Sequence, residues 1–85
     1  MEIIFAPKAL NDLKYWKSSG NTKIQKKITE LLQAIASDLF SGVGKPELFK
    51  HEFSGCWSRR INREHRIIYA VTDSAVEIFS LKDHY

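Results

Sequence analysis

The hydrophobic spacing of this chain changes period once, and that change restricts the fold more than any other feature. Ahead of it, Ile24, Ile28, Leu31, Leu32, Ile35 and Leu39 recur at helical intervals, opposite a face of Lys23, Lys26, Lys27, Glu30 and Gln33. The pattern predicts a long amphipathic helix packed on a sheet, with Asn21 as its cap. A shorter helix precedes it. Pro7 suits a first helical turn, Leu10, Leu13 and Trp16 follow at helical spacing, and residues 18–21 (SSGN) break the run. After Ser54 and Gly55 the period becomes two. Residues 56–61 and 66–72 flank a polar turn at 62–65 and read as a hairpin; a tight turn at 72–74 leads to a last strand at 75–81. With Glu2 to Phe5 (EIIF) as a first strand, the order is β-α-α-β-β-β. Helices and meander segregate, which predicts an α+β fold: a compact, mostly antiparallel sheet with both helices on one face.

Size and composition bound the rest. Eighty-five residues suffice for one domain, 1–85, with one modest core. A chain that is 44% hydrophobic and 27% charged reads as globular rather than disordered. The lone cysteine, Cys56, cannot close an internal disulfide, so the fold must stand on packing, and a reducing cytoplasm is the simplest setting. The first residues, MEIIFAPK, lack the pattern of a signal peptide, and no apolar run approaches the roughly 20 residues of a membrane span.

Charge points to a partner class. The net charge is +3, and Arg59, Arg60, Arg63 and Arg66 crowd into eight residues beside His65, with Lys45 and Lys50 upstream. Such a cluster can be a solvated face. Arginine in preference to lysine favours a surface for polyanions, because a planar guanidinium grips phosphate oxygens with two bonds. Nucleic acid, or an acidic protein that imitates it, is the leading partner. Period two sorts the cluster: Trp57, Arg59 and Ile61 share one face, Ser58 and Arg60 the other, and Arg66, Ile68 and Ala70 oppose Ile67, Tyr69 and Val71. Arg60 and Arg66 both lie near the 62–65 turn.

No His or Cys spacing matches a zinc motif, so neither metal nor other cofactor is expected. The loop at 41–46 (SGVGKP) lacks the spacing and the preceding strand of a nucleotide-binding loop, and Pro46 biases Lys45 toward extended backbone. What remains is a loop carboxylate (Glu47 or Glu52), arginines, the histidines His51, His65 and His84, and a tyrosine. RNA offers a reaction for that set: its 2′-hydroxyl can attack the adjacent phosphate, given a base, cations for the phosphorane and an acid for the leaving oxygen.

The stretch GKPELFKHEFSGCWSRRINREHRIIYAV, followed by the terminal HY, resembles the YoeB/Txe family, RelE-like toxins of bacterial type II toxin–antitoxin systems. The resemblance runs through all 85 residues, and the combination of motifs is far more specific than any one of them. It implies a fold related to RelE and small microbial ribonucleases, and a ribosome-associated mRNA endoribonuclease that cuts in the decoding site and stops translation in the bacterial cytoplasm. By the same resemblance Glu47 is the base, Arg66 the transition-state clamp and His84 the acid. Tyr85 orients phosphate or stacks on a base, and Lys50 and Arg60, with Arg59 and Lys45, supply electrostatic support. The implied partners are a cognate acidic antitoxin of the YefM/Axe type, the ribosome and mRNA. Homodimers occur in the family, and nothing in the sequence fixes the stoichiometry. The alternative is a module that binds RNA, ribosome or antitoxin without cutting.

Two positions depart from the family pattern. Leu48 stands where proline commonly follows the catalytic glutamate, which removes one φ restraint next to Glu47. Cys56 stands where an aromatic usually precedes the tryptophan. At the other end, a carboxylate on Tyr85 would lie one residue from His84 and favour its imidazolium.

Overall fold

The computed structural model describes residues 2–48 and 55–82. Strand β1 (Glu2–Phe5) leads into helix α1 (Pro7–Ser19) and helix α2 (Thr22–Ser37). These are followed by β2 (Glu47–Leu48), β3 (Trp57–Arg60), β4 (Arg66–Val71) and β5 (Ala75–Ser80). The sheet runs β1-β5-β4-β3-β2. β1 lies parallel to β5, and every other pairing is antiparallel. The expected order gains one element, β2, in a stretch the sequence reads as loop. Among the described residues no helix is long and apolar enough to cross a membrane.

Local chemistry sets the helix ends. Pro7 opens α1, and Gly20, at φ +72°, closes it in the left-handed region. Asn21 caps α2, its Oδ1 accepting from the Ile24 amide at 3.1 Å. In α2 the buried stripe is Ile24, Ile28, Leu31 and Ile35, with Leu32 and Leu39 packed at its margin. In α1 the buried face is Ala9, Asp12 and Trp16, with Leu13 beside it, whereas Leu10 is exposed. At about 100° per residue Leu10 lies about 120° around the helix from Trp16, so spacing alone misplaced it.

Both helices pack on one face of the sheet against Ile67, Tyr69, Val76, Ile78 and Leu81. The opposite face carries a smaller cluster of Cys56, Ile68, Ala70 and Phe79. Burial pushes the Cys56 thiol up from its ordinary pKa, with the charge of Glu77 adding to the effect. The hairpin turn forms as expected: Ile61 N–H donates to His65 C=O at 2.9 Å, and Asn62 Oδ1 accepts from the Glu64 and His65 amides. Because β4 and β5 are antiparallel, with Ile68 opposite Ser80, the start of β4 and the end of β5 meet at one end of the sheet.

Candidate active site at the open end of the sheet

Glu47 is placed by strand pairing rather than by sequence spacing. On β2 it sits opposite Ser58 of β3, which in turn sits opposite Ile68 of β4. From this position its Oε1 accepts from Arg66 Nη1 at 2.7 Å, and the same nitrogen donates to Ser58 Oγ at 3.2 Å. Ser58 is fully buried, whereas the Glu47 side chain is 61% exposed and that of Arg66 22% exposed. A charge-assisted bond between an accessible carboxylate and a half-buried guanidinium leaves both ends of the pair open to a ligand.

Arg60 is exposed and directly opposite Arg66 across the β3–β4 ladder. Like charges so placed repel, and the Glu47 carboxylate offsets that repulsion. The three side chains carry one negative and two positive charges, on the face away from the helices. An anion that displaced Glu47 from Arg66 would meet two guanidiniums and a serine hydroxyl.

Arg59 lies elsewhere. The sequence reading grouped it with the phosphate ligands, but its alternation with Trp57 and Ile61 turns it to the helix side, where it is completely buried. Its Nε donates to Tyr69 Oη at 3.1 Å, Nη1 donates to the Val43 carbonyl at 3.2 Å, and Nη2 donates to the Asp38 carbonyl. Tyr69 Oη passes the chain on to the Leu39 carbonyl at 2.9 Å. Burial raises the Tyr69 pKa, against the opposing effect of Arg59. The Asp38 carboxylate is held below its ordinary pKa, first by the Ser41 hydroxyl and then by the Phe40 amide.

Lys45 also departs from expectation. Its φ is +53°, in the left-handed region, not extended. The cause lies one residue earlier: the Gly44 carbonyl accepts from the Arg60 amide at 2.7 Å, and the chain must then turn sharply to bring Glu47 beside Ser58. Lys50, His84 and Tyr85, with the alternative carboxylate Glu52 and with His51, fall outside the described residues.

Sequence reasoning missed a set of side chains on α1. Lys8, Asp12 and Trp16 recur every fourth residue and take hold of the chain where β5 ends. Asp12 Oδ2 accepts from the Leu81 amide at 3.0 Å and from Lys8 Nζ at 2.7 Å. Lys8 Nζ also donates to Ser80 Oγ and to the Lys82 carbonyl, and Trp16 Nε1 donates to the Leu81 carbonyl at 2.9 Å. The Trp16 ring meets His65 edge-on, with centroids 4.9 Å apart, which ties α1 to the residue preceding Arg66. A Lys, Asp and Trp at i, i+4 and i+8 was the available signal; helical periodicity read only the tryptophan, as core.

Elsewhere, a depression of about 520 Å³ lies between α2 and the hairpin turn, lined by Lys23, Lys26, Lys27, Glu30 and Asn62 among others. It shares no residue with the Glu47–Arg66 group. Among the described residues no three His, Cys, Asp or Glu side chains converge as metal ligands would.

Comparison with known proteins gives a consistent result. The family described as YoeB-like toxin of bacterial type II toxin-antitoxin system matches residues 5–85. Toxin YoeB of Escherichia coli K12 is 44% identical over 85 residues, all of both chains. A YoeB/ParE toxin from Agrobacterium tumefaciens superimposes with a TM-score of 0.93 at 32% identity, over the whole of both chains. The YoeB dimer from Staphylococcus aureus superimposes at 0.89, with 44% identity over 100% of this chain and 98% of that one. The same toxin in a heterotetrameric YoeB–YefM toxin–antitoxin complex superimposes at 0.87, with the same identity and coverage.

Proposed function

We propose an activity for this chain from the premise that it belongs to the YoeB-like toxins of bacterial type II toxin–antitoxin systems. It is a ribosome-dependent endoribonuclease that cuts mRNA in the decoding site and so halts translation. The observation that carries this reading is the Glu47–Arg66–Ser58 group, with Arg60 opposite Arg66, on the face the helices leave uncovered. It supplies an accessible carboxylate within 2.7 Å of a cation, as a metal-free phosphoryl transfer needs.

The steps follow from that geometry. The scissile phosphate takes the place of Glu47 on Arg66 and draws on Arg60, and the freed carboxylate accepts the 2′-hydroxyl proton. The 2′ oxygen bonds to phosphorus, and the charge that builds on the phosphorane is held by the guanidiniums. The P–O5′ bond then breaks, leaving a 2′,3′-cyclic phosphate, and His84 protonates the departing 5′ oxygen. Lys50 and Tyr85 bind and orient the phosphate in this scheme. Lys45 adds positive charge at the rim. DNA, which lacks the 2′-hydroxyl, is not cut.

The proposed partner is a YefM-like acidic antitoxin encoded beside the toxin, which neutralises the basic face in the bacterial cytoplasm; a dimer like that of the Staphylococcus aureus relative is the proposed free form. Expression of the chain with and without its neighbouring gene tests this. Growth arrest by the chain alone, relieved by the neighbour and abolished by Glu47→Ala, supports the reading. Arrest that persists undiminished in Glu47→Ala favours a toxin that binds without cutting.

A further inference from the structure

The edge strand β2 carries Glu47, which raises a question of support. Among the described residues it pairs with β3, Glu47 opposite Ser58 and Leu48 opposite Trp57. An edge strand is laddered on one side alone. What holds the preceding loop, residues 38–46, which connects α2 to β2, therefore bears on where Glu47 sits. That loop is fastened to the sheet by one side chain above all. Arg59, completely buried, spans it by donating to the carbonyls of Asp38 at its start and Val43 near its end. Through Tyr69 it also holds the Leu39 carbonyl.

The far side of the loop is seated on the same residue. Gly44 approaches β3 so closely that a Cβ there would lie 3.1 Å from Arg59 Cβ, and the Gly44 carbonyl is bonded to the Arg60 amide at 2.7 Å. From Gly44 to Glu47 the path is short and constrained: Lys45 at φ +53°, then Pro46 with its fixed φ. A loop locked at Gly44 thus delivers Glu47 to a set place.

We propose that Arg59 is a positioning residue: it acts inward, through the 38–46 loop, to hold Glu47 against Arg66. This rests on the role given to Glu47 above, and it assigns the two adjacent arginines opposite tasks. Arg60 faces the substrate, and Arg59 locks the loop that carries the carboxylate. A lysine cannot replace it, because a single ammonium cannot reach two carbonyls and a phenol in the fork geometry of guanidinium.

The test compares Arg59→Lys and the milder Tyr69→Phe with Val76→Ala, a buried position at the far end of the sheet chosen to give a similar loss of Tm. The first readout is independent of catalysis: the Arg66 side-chain NMR signal, which reports its bonds to Glu47 and Ser58. It is expected to move in Arg59→Lys, and part-way in Tyr69→Phe, toward its position in Glu47→Ala, while Val76→Ala leaves it in place. The second is cleavage of ribosome-bound mRNA at a temperature where all variants are folded. Arg59→Lys is expected to lose about 10- to 100-fold in kcat with KM nearly unchanged, since misplacement of a reacting group by an ångström has effects of that size. An Arg66 signal that stays in place in Arg59→Lys overturns the proposal. So does a kcat loss no larger than that of Val76→Ala. A wild-type protein that cuts no mRNA refutes the proposed function instead, and the NMR comparison still decides the positioning role. If Arg59→Lys does not fold, Tyr69→Phe carries both readouts with smaller expected changes.

Discussion

Replacing Gly44 by alanine probes the seat of the loop that carries Glu47, and the structure sets the size of the effect. A Cβ at Gly44 would lie 2.8 Å from Leu31 Cδ2, 3.1 Å from Arg59 Cβ and 3.2 Å from the Arg60 carbonyl oxygen. Leu31 and Arg59 are both completely buried, so neither can move aside into solvent. Gly44 also has φ +86°, where an L-residue costs about 1–2 kcal/mol. Overpacking at a rigid contact adds about 1–3 kcal/mol, and the lower entropy of an unfolded alanine returns about 0.4–1 kcal/mol. The net loss is about 1–5 kcal/mol by these terms. Gly20→Ala is the control, because its φ is +72° and a Cβ there meets nothing within 4 Å. It carries the same backbone strain without the collision, so the difference between the two variants isolates the close approach. Urea unfolding of both should give that difference as about 1–3 kcal/mol, or about 4–8 °C in Tm per kcal/mol for a domain of this size. Equal losses would refute the reasoning, since the loop would then not be seated on Leu31 and Arg59.

Three further outcomes follow from named contacts. Asn21→Ala should lower stability by about 1 kcal/mol in urea titration, because it removes the acceptor for the Ile24 amide at the start of α2. Asp12→Ala should cost about 1–3 kcal/mol by orphaning the buried Leu81 amide, whereas Asp12→Asn, whose amide oxygen can still accept, should lose clearly less. Tyr69→Phe should flatten the alkaline limb of stability. Burial raises the folded-state pKa of Tyr69, so the folded chain holds this proton longer than the unfolded one; stability is intact below the unfolded value near 10 and falls as pH rises through the folded one. If some other group causes the loss, the unfolding free energies of wild type and variant should instead fall in parallel across that window, their difference unchanged.

Much of this architecture could be read before any coordinates. The change of period located both helices and the meander, Asn21 announced its cap, and alternation along β3 put Arg59 and Arg60 on opposite faces. What escaped was whatever depends on register and loop seating. Glu47 and Arg66 are 19 residues apart and meet because β2, β3 and β4 align them, a register that local spacing does not encode. Arg59 was misassigned because arginine in a basic cluster reads as a phosphate ligand. Its partnership in alternation with Trp57 and Ile61 was the signal that it points inward. The pre-proline rule gave the wrong backbone for Lys45, since a bonded, tightly packed Gly44 outweighs a local preference. On α1, the acceptor role of Asp12 left no local signal because it serves the end of β5, 69 positions away.

Where mRNA is cut tests the roles proposed for Glu47 and His84 most directly. The protein is added to translating ribosomes, and the 5′ ends of the mRNA fragments are mapped for wild type, Glu47→Ala, Arg66→Ala and His84→Ala. The prediction is cleavage at the decoding site by wild type, lost in all three variants, while Arg63→Ala, outside the proposed group, still cuts. Decoding-site cuts that persist unchanged in Glu47→Ala and His84→Ala would contradict the proposal that this carboxylate and this histidine carry the reaction.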